Sequence, residues 1–487
     1  MSINNFTKIK LLFFDNIGIK QTILKNTFWL AIAEGISQLL KTVLIIYVVR
    51  ILGATEYGRF AFALAFVSIF GIFADFGLSF IVTREFSRER EGEREFPALL
   101  SLKFLLSLGT LILIFVGSFF ITPDPIIQKI ICILAIVTLL GSFSDVVYAF
   151  FRARQKMEYE ALTKIFQTLV LTIIGFFVIL NYPSIENLSY SYLIAGLIAL
   201  IFILIFFHFK VFPLKFSFKR TIWRNFLAMS WPIGLSIIFN TFYSHFDSII
   251  MGYLGQITQI GWYNAPYKII NLVFVLPTLI YLSFYPVLSV AFRETKEKLQ
   301  RIWNYHMEIM ILLSVPLIIG GITFASRIIN SLYPGFTPSV LAFQILIIMA
   351  GVVFLSNPFH QILIISNQQK KLCQINFYGA IVNIILNLIL IPRFSLYGAA
   401  VSILVTWLLI LFLFFYFTSK FTSISPFNLR FFLIFIIAIF SSLIMHFVMS
   451  QSKIYNFNFF LLISIGTGIY LFFFFIFKKL ISHFSKI

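Results

Sequence analysis

Apolar runs of about twenty residues recur from one end of this sequence to the other, and they fix what it can fold into. A bilayer core about 30 Å thick is crossed by roughly 20 apolar residues in a helix. Backbone amides have no water to bond there, so each run must close its hydrogen bonds on itself. Only 11% of the 487 residues are charged, against about 25% in a soluble domain. The runs predict an all-α integral membrane protein with about fourteen transmembrane helices. They lie near 27–49, 59–83, 97–120, 126–150, 161–181, 188–209, 226–250, 261–290, 302–326, 338–364, 372–391, 396–418, 430–450 and 458–477. The first run is too long for the apolar stretch of a signal peptide and has no small-residue cleavage site after it, so it is expected to be a membrane helix. Cys132 and Cys373 both fall inside runs and read as small buried hydrophobes.

The basic residues give the orientation. With a cytoplasmic N-terminus, 28 Lys and Arg fall in inside segments and 6 in outside ones, the asymmetry that sets topology in membranes. An odd number of spans would break the alternation, so both termini are expected in the cytoplasm and the protein in the cytoplasmic membrane. The net charge of +19 then reflects topology and anionic lipid head groups, not nucleic-acid binding. The mixed-sign run from Arg84 to Glu95 reads as a solvated helical cap with i,i+4 pairs.

An internal repeat is visible. Trp29 and Trp231 are 202 residues apart, and so are Leu52-Gly53 and Leu254-Gly255. Each Leu-Gly is followed by a short outer loop holding Gly-aromatic, Gly58-Arg59-Phe60 or Gly261-Trp262-Tyr263. Gln155-Lys156 and Gln369-Lys370 extend the match at an offset of 214. The repeat predicts two pseudo-symmetric six-helix lobes, 27–209 and 226–418, joined by a cytoplasmic linker at 210–225. A cytoplasmic N-terminus (1–26), two added helices (430–477) and a cytoplasmic tail (478–487) complete the organisation. Parallel halves of this kind belong to alternating-access carriers, with the site at their interface.

Polar groups are costly in hydrocarbon, about 2.5–3.5 kcal/mol for a mid-bilayer charge on insertion scales, so their faces mark an interior or a wet cavity. Residues at i, i+4 and i+7 share a helix face. Span 1 places Glu34, Gln38 and Lys41 on one face, and span 2 places Ser68, Gly71, Asp75 and Ser79. Span 7 carries Ser236, Asn240, Tyr243 and Asp247, with His245 nearby. Span 8 carries Asn264, Lys268 and Asn271. These are equivalent spans in the two lobes, so the stripes are candidates to line a substrate cavity. Lys41 and Lys268 would attract an anionic head group, unless each is held in an internal ion pair such as Lys41 with Glu34 or Asp247. Asp75 reads either as a carboxylate binding a coupling proton or Na⁺, or as a structural partner for a helix end. Lys103, Asp145 and Glu308 lie toward span ends, where snorkelling suffices. Asn376, Asn383 and Asn387 on span 11, and Ser356, Asn357, His360 and Gln361 on span 10, read as interhelical hydrogen bonding. Pro232, Pro277, Pro286 and Pro316 mark kinks.

No Walker-type glycine loop, His-Glu-x-x-His, Cys-x-x-Cys or Gly-x-Ser-x-Gly is present. Glycan polymerases and ligases place catalytic residues in a long outer loop, and the outer loops here are short. The expectation is a transporter and not an enzyme, with no metal and no cofactor beyond a coupling ion (H⁺ or Na⁺).

The stretch from Val48 to Ala61, Val-Val-Arg-Ile-Leu-Gly-Ala-Thr-Glu-Tyr-Gly-Arg-Phe-Ala, with Phe73-Ala74-Asp75-Phe76-Gly77-Leu78 after it, resembles the opening of polysaccharide biosynthesis flippases. These are the Wzx-type O-antigen transporters of the multidrug/oligosaccharidyl-lipid/polysaccharide exporter superfamily. Gly261-Trp262-Tyr263-Asn264-Ala265-Pro266-Tyr267-Lys268 is similar to the family's stretch at the start of span 8. The resemblance implies a MATE-like fold and a carrier that moves a polyprenyl-pyrophosphate-linked oligosaccharide across the cytoplasmic membrane. It implies membrane lipids and polysaccharide polymerase or assembly proteins as partners. Lipid II flipping and multidrug antiport are the alternatives within the superfamily. Spans 13 and 14 resemble the pair that forms a lipid groove in its lipid II branch.

Overall fold

The computed structural model describes residues 14–88, 94–210, 216–426, 429–451 and 459–484. It is helical throughout. The helices are α1 (Ile19–Asp75), α2 (Leu78–Arg88), α3 (Phe96–Ile121), α4 (Pro125–Ala153), α5 (Met157–Asn181), α6 (Ile185–Lys210) and α7 (Arg220–Tyr253). They continue as α8 (Ile257–Val273), α9 (Val275–Ala291), α10 (Lys296–Leu332), α11 (Ser339–Ile365), α12 (Gln369–Phe421), α13 (Leu429–Met449) and α14 (Phe459–Phe484). Eleven helical segments among the described residues are long and apolar enough to cross a membrane.

The fourteen spans read from the sequence differ from these eleven for local reasons. The segment from Gln21 to Arg88 is 68 residues long, about 100 Å if straight, yet its two ends meet the same turn. Lys25 Nζ lies 2.9 Å from Glu158, and Thr83 Oγ1 donates to the Ala149 carbonyl at 3.2 Å. Both partners flank the α4–α5 turn, so α1 folds back on itself. The fold is at Gly53, whose φ of 77° is a conformation that costs a residue without Cβ nothing. No outer loop separates spans 1 and 2; helix resumes at once after Gly53, and Arg59 pairs with Glu56 one turn away at 2.7 Å.

α12 is a second hairpin. Asn383 Nδ2 reaches Thr406 Oγ1 at 3.1 Å, and a Cβ on Gly398 would sit 2.4 Å from the Leu390 carbonyl oxygen. The reversal is at Ser395, with φ 51°. The predicted eighth span divides into α8 and α9 at Phe274, because Pro277 has no N–H for the Val273 carbonyl. The last predicted span corresponds to α14, which is outside the eleven.

The chain forms two compact units, residues 1–264 and 265–487. In the first, the two arms of α1 pack against α3, α4, α5 and α7. Phe86, Phe96, Phe150 and Phe207 close one end with edge-on ring contacts. In the second, α10 is central, packing on α9, α11, α13 and α14, while α11 packs on α12. Trp303, fully buried, donates its indole N–H to the Pro358 carbonyl at 3.2 Å.

Three helices end alike. At Gln155, Gly255 and Asn367 the chain turns left-handed (φ 57°, 73° and 58°). In each case that N–H bonds three residues back and the next N–H five back, the Schellman termination. The α4 and α11 terminations are therefore 212 residues apart, two fewer than the Gln-Lys match suggested. Cys132 and Cys373 are free and half-buried, not buried. Of the charged run from Arg84 to Glu95, residues 89–93 lie outside the described residues. Arg84 pairs with its neighbour Glu85 and not at i,i+4.

Candidate functional site

In the first arm of α1, Ala33, Ser37, Leu44 and Val48 face inward. Ser37 accepts from Thr168 of α5 at 3.1 Å, and Leu44 seats against Gly175. The polar stripe is rotated away from that contact. Glu34 and Lys41 are exposed in the unit and Gln38 is half-buried. Lys41 is twelve residues before the Gly53 fold, about 18 Å along the helix axis, which places it near mid-bilayer. Among the described residues it makes no ion pair, with Glu34, Asp247 or any other carboxylate. Glu34 and Lys164 are the charged groups within electrostatic reach. An exposed mid-span ammonium facing hydrocarbon would carry the insertion cost given above, so this face requires water or an anion.

Asp75 has a different setting. Its carboxylate pairs with Lys103 and accepts from Ser79 Oγ at 2.6 Å and Ser79 N at 3.4 Å. It ends α1 and starts α2, the structural reading that the sequence left open. Lys103 has no exposed surface, so it does not snorkel; the carboxylate replaces its water. Asp145 is exposed within the unit, with Lys103, Asp75, Lys164 and Arg152 as charged neighbours. Glu160, fully buried, accepts from Arg152 at 2.7 and 2.5 Å and pairs with Lys164 at 2.7 Å. These residues form a chain of alternating charge through α1, α3, α4 and α5. The sequence signal for part of it was the Glu160–Lys164 spacing; Lys103 had none, because a lone lysine near a span end looks the same whether it is buried or wet.

Asp247 is buried and its carboxylate is occupied. Tyr263 Oη donates to it at 2.6 Å, as does Ser248 N at 2.6 Å. Asn264 donates to Ser248 Oγ and to the Ile260 carbonyl, both at 3.1 Å. Asp247 and Asn264 are thus brought together as a joint between α7 and α8. Asn240 is exposed and donates to Tyr243 Oη at 2.5 Å. Lys268 and Asn271 are half-buried on α8 in the second unit, one and two turns beyond Asn264.

The repeat-related glycines meet inside the first unit. A Cβ on Gly58 would lie 2.0 Å from the Ile257 carbonyl oxygen, and one on Gly261 would lie 1.9 Å from that of Ala54. Thr55 and Thr258 hydroxyls are 2.9 Å apart beside them. Each contact maps onto the other by the same shift along the chain, as in a two-fold interface. Only hydrogen fits at either glycine.

Folded-back helical hairpins, a two-fold contact between repeated segments and an exposed mid-span cation define a multi-pass membrane protein of the carrier class. The chain belongs to the family described as Polysaccharide biosynthesis protein, whose model matches residues 23–292, more than half its length. It is 23% identical over 401 residues to a protein of Escherichia coli (strain K12) named "Putative O-antigen transporter", covering 80% of this chain and 94% of the relative. Among solved structures it is similar to the lipid II flippase MurJ in an inward closed conformation, with TM-score 0.76 and 17% identity over 92% of this chain and 99% of that one. An inward-facing multidrug resistance MATE transporter of the MOP superfamily follows, with TM-score 0.65 and 13% identity over 86% and 98%. The expected MATE-like, MOP-type fold is the fold observed.

Proposed function

We propose that this chain is a flippase that carries a polyprenyl-pyrophosphate-linked oligosaccharide, such as an O-antigen or other surface-glycan repeat unit, across the cytoplasmic membrane by alternating access. The observation that carries the reading is Lys41, a mid-span cation with an open face in a member of the polysaccharide biosynthesis family. An ammonium there offers a pyrophosphate a point charge where hydrocarbon offers none. The E. coli relative named as an O-antigen transporter supports the substrate class. Both termini are cytoplasmic in this reading, the work is transport and not bond chemistry, and a proton or Na⁺ gradient drives it.

Within the charge chain, Asp145 is a better place for a coupling cation than Asp75, because Asp75 already holds Lys103. Lys268 and Asn271 extend the polar face of α8 and are proposed to contact the glycan. Cysteine accessibility tests the cavity. Single cysteines replace residues 41, 75, 247 and 268 in a background without Cys132 and Cys373, and a water-soluble maleimide is applied. Positions 41 and 268 should label and be protected by lipid-linked oligosaccharide, while 75 and 247 stay unreactive. Labelling at 75 and 247 but not at 41 sinks the site.

A further inference from the structure

The second unit holds a cleft of about 510 Å³ that no part of the transport reading uses. Its wall is apolar and aromatic, with Phe284 and Val287 from α9 and Ile302 and Tyr305 from α10. Its rim carries Arg301 from α10 and Arg430 from α13. Glu308 is 6% exposed and is shared by Arg430 at 2.6 Å and by Lys478 of α14 at 3.2 Å. One carboxylate therefore meets two cations, and Arg301, exposed and in no ion pair among the described residues, adds a third. Counting these described residues alone, three cations stand against one carboxylate.

Arg301 lies in the second turn of α10, Arg430 in the first turn of α13, and Lys478 in the last two turns of α14. Phe284 and Val287 lie in the last turns of α9. Helix ends of this kind sit at the border between hydrocarbon and water. Val287 and Tyr305 are 50% and 59% exposed, so the apolar wall is open beside the charges.

We propose that this cleft is a binding site for an anionic phospholipid, held by its phosphate on Arg301 and Arg430 with an acyl chain along Phe284, Val287 and Ile302. Guanidinium forks match phosphate oxygens in pairs. Basic pockets between helix ends attract anionic head groups. A free phosphate would satisfy the arginines and leave the apolar wall unused, whereas a phospholipid uses both. Glu308 is a positioning residue, since it ties α13 and α14 to α10 and fixes Arg430 at the rim. Placement in the inner leaflet rests on the orientation proposed above; the lipid class does not.

The test is native mass spectrometry of the full chain released from detergent, with phosphatidylglycerol or phosphatidylcholine added. Phosphatidylglycerol should be retained in clear preference. Arg301→Gln should weaken that preference about fivefold, the effect of one cation near an anionic head group. Arg301→Lys should keep most of it. Val287→Trp should displace the chain and abolish retention while leaving the charges intact; if that variant does not fold, the two Arg301 variants carry the test. Equal retention of the two lipids overturns the proposal, as does unchanged preference in Arg301→Gln. Displacement by inorganic phosphate as readily as by lipid would make this a free-anion site and overturn it too. So would equimolar displacement by undecaprenyl pyrophosphate, which would make the cleft part of the transport path. Absence of glycan translocation by the unmodified chain in proteoliposomes, with lipid preference retained, would count against the flippase reading alone.

Discussion

The interiors of the two units solve the same problem with different chemistry. Residues 1–264 bury full charges, with Lys25 on Glu158, Lys103 on Asp75, and Glu160 between Arg152 and Lys164. Residues 265–487 bury mainly neutral amides and hydroxyls, with Glu308 the one buried carboxylate among the described residues. Asn387 donates to Asn383 at 2.8 Å, Asn383 to Thr406, and Gln361 to the Tyr281 carbonyl at 2.7 Å. The buried carboxylate of this unit, Glu308, meets cations that come from helix ends and stay partly exposed. A buried ion pair is costly to desolvate and very costly to break, whereas an amide loses only a hydrogen bond. The first unit therefore has its structure committed to fixed pairs, and Lys41, outside those pairs, stands out as chemically available.

The difference can be broken by mutation. Asp75→Asn takes from the buried Lys103 cation its ion-pair partner and should cost about 3–5 kcal/mol, read as a large drop in thermal stability in detergent. The double variant Asp75→Asn with Lys103→Met removes both charges and should recover most of it. Failure of the double variant to recover would show that the pair is not the source of the loss. In the second unit, Asn383→Leu removes a buried amide and should cost about 1 kcal/mol, checked by the same melt. A loss as large as that of Asp75→Asn would erase the distinction between the units. The smallest effect belongs to Glu308→Gln. Arg430 and Lys478 are 60% and 40% exposed and keep their water, so the change should cost under about 1 kcal/mol.

Much of this fold was legible because hydropathy and length dictate membrane helices. The repeat was legible because its anchor residues are under backbone constraint. Gly53 and Gly255 both need a left-handed conformation, and Gly58 and Gly261 both need bare backbone. What was not legible was partnership. Nothing in the sequence near Lys103 says that Asp75, 28 residues earlier, comes back to meet it, because that depends on how α3 returns past the end of α1 after α2. Asp247 looked like a cavity group by periodicity, but Tyr263 and Ser248 fill its acceptors. The stripes predicted which faces are polar; only packing decides which of those faces stays open. Glu308 is hidden from the sequence for the same reason, since its two cations come from helices more than 100 residues further along the chain.

The most direct test of the account is translocation of a fluorescent polyprenyl-pyrophosphate oligosaccharide in proteoliposomes by Lys41→Glu and Lys41→Arg variants that keep the wild-type melting temperature. Charge reversal at this open mid-span position should abolish translocation, and arginine should preserve most of it. Wild-type translocation by Lys41→Glu would contradict the role proposed for Lys41.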